Sequence, residues 1–123
     1  MQQRLTDDKS IYLQISQMIE TDILRGILLE EERVPSTNEL AKLYTINPAT
    51  AAKGVNLLVD EGILYKKRGI GMFVSAGATE LIRARRKQEF YEIRLAELLA
   101  EATSLGITRQ ELIDRIGKGG NHE

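Results

Sequence analysis

Two helix N-cap signals, at Ser36 and Asn47, leave room between them for only one short helix and a tight turn. Ser36-Thr37-Asn38-Glu39 is a capping box. The Ser hydroxyl and the Glu carboxylate can each satisfy a backbone N–H that the first helical turn leaves without a partner, and Val34 and Leu40 flank it as a hydrophobic staple. The helix opened there is short, because Leu40, Leu43 and Tyr44 give way to Thr45-Ile46-Asn47-Pro48. Asn47 can cap and Pro48 suits the first helical position, so a further helix is expected from Pro48 to about Glu61. Its inward face would use Ala51, Val55, Leu58 and Val59, and Gly62 ends it. Two helices joined by so tight a turn have the layout of a helix-turn-helix.

The flanks complete a larger pattern. Ile11, Ile15, Ile19 and Ile23 recur every four positions, with Met18 and Leu24 beside them, and predict a helix from Ser10 to Arg25 that stops at Gly26. From Gly26 to Pro35 the periodicity is lost. Glu30-Glu31-Glu32 in its middle reads as a solvated loop, since adjacent loop carboxylates lack the enclosure that would tune their acidity. After Gly62, Ile63 to Arg68 and Met72 to Ser75 flank Gly69-Ile70-Gly71 and predict a β-hairpin, so the unit is a winged helix-turn-helix. Any tight turn favours glycines, but the Lys66-Lys67-Arg68 run leading into the tip gives a phosphate or minor-groove role at least equal weight.

Beyond a joint at Gly77, Thr79 to Leu105 reads as one long helix. Leu81, Ala84, Gln88, Tyr91, Leu95, Leu98, Ala102 and Leu105 step by alternating threes and fours, a heptad seam that calls for a partner helix. Gly106 stops it. Thr108-Arg109-Gln110-Glu111 is a second capping box, with Ile107 and Leu112 as its staple, opening a short helix that carries Leu112, Ile113 and Ile116. The remaining GKGGNHE reads as a disordered tail. The expected fold is mainly α with a small β-hairpin. Residues 1–76 would form a winged helix-turn-helix DNA-binding domain, and residues 77–123 a C-terminal two-helix dimerisation hairpin.

Composition excludes more than it suggests. A chain of 123 residues is about one domain. No apolar run approaches the roughly 18 residues of a membrane span, and MQQRLTDDKS lacks the layout of a signal peptide, so a cytoplasmic protein is expected. Without cysteine there is no thiolate site, and His122 lies next to the C-terminal residue, so neither a metal nor a cofactor is expected. No nucleophile, base and orienting group occur together, and no glycine-rich phosphate loop appears, which argues against an enzyme. The net charge of −1 does not announce a nucleic-acid binder, but basic residues cluster at Lys66-Lys67-Arg68 and at Arg83, Arg85, Arg86 and Lys87.

With those elements in place, the chain resembles the GntR family of bacterial regulators, and within it the small YtrA-like subfamily. The residues that carry the resemblance are Ile11-Tyr12-Leu13-Gln14-Ile15, Val34-Pro35-Ser36 with Glu39-Leu40-Ala41, Thr50, Leu58-Val59 with Glu61-Gly62, and Gly69, Gly71, Phe73 and Val74 in the wing. Larger members carry an effector domain after the wing, whereas the residues after Ser75 here have room only for two helices. The resemblance implies that Ser36, Thr37 and Asn38 touch the DNA backbone or a base near it. It places Asn47, Ala49, Thr50 and Lys53 in the major groove, and makes Arg68, Gly69, Ile70 and Gly71 the wing contact. Asn38 stands where an arginine is usual, Pro48 and Ala52 where arginines are frequent, Ile70 where a basic residue is common, and Glu30-Glu31 in place of Pro-Gly. An arginine reads guanine bidentately and asparagine does not, so the operator sequence is not transferable from other members.

The expectation is a repressor that binds an inverted-repeat operator as a homodimer paired through Leu81, Ala84, Tyr91, Leu95, Leu98, Ala102 and Leu105; the subfamily resemblance suggests a neighbouring transporter operon as its target. The alternative is a winged-helix protein-interaction module, separated from the first by salt-dependent affinity for DNA. A cleft between the winged domain and the long helix could receive a small-molecule effector, with Arg83, Arg85, Arg86 and Lys87 attracting an anion; a solvated face or added DNA-backbone contact are the other readings of that run.

Overall fold

The computed structural model describes residues 10–119 and divides into two compact units, Met1–Ala84 and Arg85–Glu123. The expected tail falls on both sides of this limit. Residues 117–119 are helical, while Gly120, Asn121, His122 and Glu123 lie outside the described residues, as does nearly all of the N-terminal stretch read for a signal peptide.

In the first unit, helix α1 (Ile11–Leu24) turns Ile15, Ile19 and Ile23 into the core. Helix α2 (Thr37–Tyr44) adds Leu40 and Ala41, and helix α3 (Pro48–Asp60) adds Ala51, Val55 and Leu58. The hairpin closes the core from the side. Strand β1 (Leu64–Lys67) pairs antiparallel with strand β2 (Gly71–Val74), with Leu64 opposite Val74 and Lys67 opposite Gly71. Leu64 and Val74 point inward, while Tyr65 and Phe73, one position along each strand, stack on the outer face at 5.9 Å between ring centroids. Ala78 and Ile82, from the start of helix α4 (Ala78–Glu89), are buried in the same core. The fold is thus mainly helical with a small hairpin, as the residue pattern predicts.

Two features were not legible in that pattern. The first is a third rung on the wing. Arg33 bridges Phe73 in antiparallel fashion, the Glu31 N–H donates to the Val74 carbonyl at 2.7 Å, and the Val34 N–H donates to the Met72 carbonyl at 3.0 Å. The loop before α2 is therefore part of the sheet. The second is a close crossing of α1 and α3. A Cβ on Gly54 would lie 2.7 Å from the Tyr12 carbonyl oxygen and 3.1 Å from Ile15 Cβ, so glycine is required where the two backbones meet. Beside it the Ser16 hydroxyl donates to the Gly54 carbonyl at 2.7 Å, a buried hydrogen bond that satisfies the hydroxyl and ties the two helices.

The second unit corrects the expectation of one uninterrupted α-helix from Thr79 to Leu105. After α4 comes a π-helical turn, Phe90–Arg94, in which the Leu95 N–H reaches back to the Phe90 carbonyl, and then helix α5 (Leu95–Ser104). A π turn carries one residue more than an α turn, which shifts the phase of the succeeding helix by about 100°. An even heptad spacing in sequence therefore does not map onto one straight stripe. Helix α6 (Arg109–Gly119) opens with the expected box: Thr108 Oγ1 accepts from the Glu111 N–H at 3.1 Å and Glu111 Oε1 accepts from the Thr108 N–H at 2.9 Å. Among the described residues of this unit only Ala102 is a buried apolar side chain.

Gly54→Ala is expected to lower stability by about 1–3 kcal/mol in chemical denaturation, because the added methyl meets the Tyr12 carbonyl and the fully buried Ile15 side chain. A variant as stable as the parent would show that α1 can move away from α3 at little cost.

Candidate nucleic-acid interface

Both helix starts form as the capping signals require. Ser36 Oγ accepts from the Glu39 N–H at 3.1 Å, and Glu39 Oε1 accepts from the Ser36 N–H at 2.7 Å. That N–H, with the Ser36 hydroxyl second and the positive charge of Arg33 adding, holds the Glu39 carboxyl below its ordinary range. At the start of α3, Asn47 Oδ1 accepts from the Ala49 N–H at 2.7 Å, which leaves its amide NH2 facing outward as a donor. Positive helix N-termini carrying spare donors suit phosphate.

None of the expected DNA-facing residues is buried. Ser36, Thr37 and Asn38 lie at and just inside the start of α2, Asn47, Ala49, Thr50 and Lys53 at the cap and first turns of α3, and Arg68, Gly69, Ile70 and Gly71 in the wing turn and at the start of β2. Lys53 has an unexpected neighbour: its ammonium sits 4.2 Å from the centroid of the Tyr12 ring, so the entry of α1 holds a cation of α3. In the wing, the Ile70 N–H donates to the Lys67 carbonyl at 2.9 Å and closes the turn, and Ile70 is 60% exposed at its tip. Lys67 folds its ammonium over Phe73 at 4.4 Å, while Lys66 and Arg68 are exposed.

The three adjacent glutamates are exposed, but they are not simply solvated. Glu30 accepts from the Gly77 N–H at 2.9 Å and the Thr79 N–H at 3.2 Å, capping the start of α4 from a distant loop. These two bonds, Gly77 first, hold its carboxyl below the ordinary value. Glu31, at φ 70°, accepts from the Tyr65 hydroxyl, and that bond is the main cause raising the pKa of the Tyr65 phenol above its ordinary value. Glu32 accepts from the Leu29 N–H at 2.8 Å. The sequence carries no signal for the first two, because each joins residues more than thirty positions apart.

The second basic run is partly matched along its own helix, with Arg83 paired to Glu80 and Arg85 to Glu89 at 3.9 Å. Of the expected pairing residues, Leu81, Ala84, Tyr91, Leu98 and Leu105 are exposed, Leu95 is half-buried and Ala102 is buried. Ile82, one position past Leu81, enters the core of the first unit together with Ala78.

Residues 11–74 match the family described as bacterial regulatory proteins, gntR family. The chain is 33% identical over 103 residues to the HTH-type transcriptional repressor YtrA of Bacillus subtilis, covering 83% of this chain and 78% of that protein. A GntR family transcriptional regulator from Listeria monocytogenes superposes with a TM-score of 0.77 at 27% identity, over 93% of this chain and 98% of the other. The DNA-binding domain of AraR, solved in complex with an operator, superposes with a TM-score of 0.53 at 30% identity, over 61% of this chain and 92% of the other.

Glu30→Ala is expected to lower the melting temperature at neutral pH. A carboxyl whose folded value is depressed stabilises above its unfolded value and loses that contribution as pH falls through the folded one. The gap between variant and parent should therefore hold at neutral pH and close only as pH falls through the ordinary carboxylate range and below it. A gap that stays constant over that range would show that the carboxylate charge is not what caps α4.

Proposed function

We propose, because the chain belongs to the gntR family of bacterial regulatory proteins and is a DNA-binding transcriptional regulator, that it represses transcription as a homodimer on an inverted-repeat operator. Its relatives are named regulators and repressors, and it is not an enzyme. In this reading residues 1–76 are the DNA-binding domain. The first turns of α3 enter the major groove with Asn47, Ala49, Thr50 and Lys53, the start of α2 meets the backbone through Ser36, Thr37 and Asn38, and Arg68 to Gly71 reach the adjacent groove. The AraR domain, which superposes on 61% of this chain, is solved with an operator and supports a DNA-binding role.

The observation that carries the dimer is the surface of residues 85–119. Tyr91 is 57% exposed, Leu98 48%, Leu105 66% and Ile116 68%, with Phe90, Ile93 and Ile113 similarly open. Ordering a residue costs about 1–2 kcal/mol, and burying a large apolar side chain contributes roughly 1.5–3 kcal/mol, so a segment with one buried apolar residue cannot offset its own ordering. A second copy offers the same apolar residues in matching number and closes with twofold symmetry. Two heads then meet two half-sites and pool their binding free energy. Blocking polymerase needs only DNA and the second copy; a small-molecule effector would act on top of this step. Among the described residues no helix is long and apolar enough to cross a membrane, in keeping with a cytoplasmic regulator. Control of a transporter operon is the target this reading favours.

A random-library selection of bound duplex should return an inverted repeat. Leu98→Glu is expected to shift the protein to monomer in analytical ultracentrifugation and to weaken operator binding at least tenfold, while the winged unit keeps its circular dichroism. Unchanged affinity in a proven monomer would remove dimerisation from the mechanism.

A further inference from the structure

Arg33 belongs to neither the helix caps nor the wing turn, yet its side chain is built into the wing. Its backbone supplies the rung opposite Phe73. Its Nε donates to the Ile70 carbonyl at 3.4 Å, at the tip of the hairpin. A Cβ on Gly71 would lie 2.9 Å from that Nε and 3.6 Å from Cζ and Nη2, so the guanidinium occupies the space a side chain would take at Gly71, whose φ of 146° no ordinary residue favours. The residue is nonetheless exposed, and among the described residues its two terminal NH2 groups meet no acceptor. It also stands near enough to the first turn of α2 to act on Glu39. Lys67, by contrast, spends its charge on the Phe73 ring, and the tip itself carries the apolar Ile70.

Resting on the DNA-binding reading above, we propose that Arg33 is a DNA-contact residue of the wing, donating its terminal NH2 groups to a backbone phosphate between the wing tip and the start of α2. A planar guanidinium with Nε anchored to the protein presents its outer edge as a fixed fork, the geometry that a phosphate accepts bidentately. Anchoring matters because a free arginine loses much rotamer freedom on contact, whereas one already bonded to the Ile70 carbonyl, in the space that Gly71 leaves open, loses less. The contact is to phosphate, so it positions the wing without reading sequence. It supplies at the tip the positive charge that Ile70 lacks.

The test measures binding of the full chain to its selected operator and to an unrelated duplex across a salt series. Arg33→Ala is expected to weaken both by the same factor, about three- to tenfold, and to reduce the slope of log affinity against log salt by about 0.9 for each copy bound. Arg33→Gln keeps an N–H for the Ile70 carbonyl but not the charge, so it should match Arg33→Ala in slope if the charge is what matters. It also serves if the alanine variant is unstable. Arg33→Lys should keep the slope and lose part of the affinity. An unchanged slope in Arg33→Gln overturns the proposal, as does a loss confined to particular base pairs under the wing, which would make Arg33 a base reader. If the parent chain binds neither duplex, the regulator reading falls, and the phosphate contact with it.

Discussion

The outward face of the winged unit depends on how closely α1 crosses α3. With Gly54 lacking a side chain, the Tyr12 carbonyl approaches the backbone of α3, and the Ser16 hydroxyl closes the remaining polar gap by donating to the Gly54 carbonyl. Ile15, at the same crossing, is fully buried, and so are Ala51 and Val55 from the facing side of α3. A helix pinned this way has little freedom to roll about its axis, since any rotation would drive Ile15 into backbone. The residues at its exposed start inherit that rigidity. Even Lys53 is steadied from α1, by the Tyr12 ring under its ammonium.

A second constraint works on the other side of the unit. The segment from Glu30 to Val34 leads into α2, adds a rung to the wing and caps α4, so one short stretch of chain touches every element that α1 does not pin. Its chemistry is that of acceptors and donors held at the surface: Glu30 with two backbone N–H groups, Glu31 with the Tyr65 hydroxyl, Arg33 with the Ile70 carbonyl. Each bond alone is modest in water. Together they determine where the loop lies, and Glu31 can hold φ 70°, a conformation more usual for glycine, because both its N–H and its carboxylate are engaged.

Local signals were legible because their causes are local. Both capping boxes, the Asn47-Pro48 start, the isoleucine periodicity of α1 and the Gly69-Ile70-Gly71 turn all form within a residue or two of expectation. What escaped depends on partners distant in sequence or on an irregularity that leaves spacing intact. Glu30 and Arg33 look like ordinary loop charges until residues 47 and 37 positions away come alongside. The π turn at Phe90–Arg94 is invisible in an alternation of threes and fours, because the pattern records distance along the chain and not the angle each residue turns. Of the site, the exposed caps and the turn follow from sequence; the support beneath them does not.

A net charge of −1 is compatible with binding a polyanion because phosphate responds to charge within about a Debye length, roughly 8–10 Å, and not to the sum over the molecule. Several acidic groups of the same unit are drawn inward or paired: Glu20 and Asp22 are buried, Glu39 caps its own helix, and Glu30 caps α4. The cations are exposed in the wing, at Arg33, Lys66 and Arg68, where helix N-termini add partial positive charge nearby. Such a surface attracts DNA only over a small patch. One patch neutralises few phosphates and holds weakly at physiological salt, the weakness that the proposed pairing of two heads would offset. In the proposed dimer, the apolar residues left open in residues 85–119 and the sparse charge of the winged unit would be answered together, because the same second copy would cover the first and double the second.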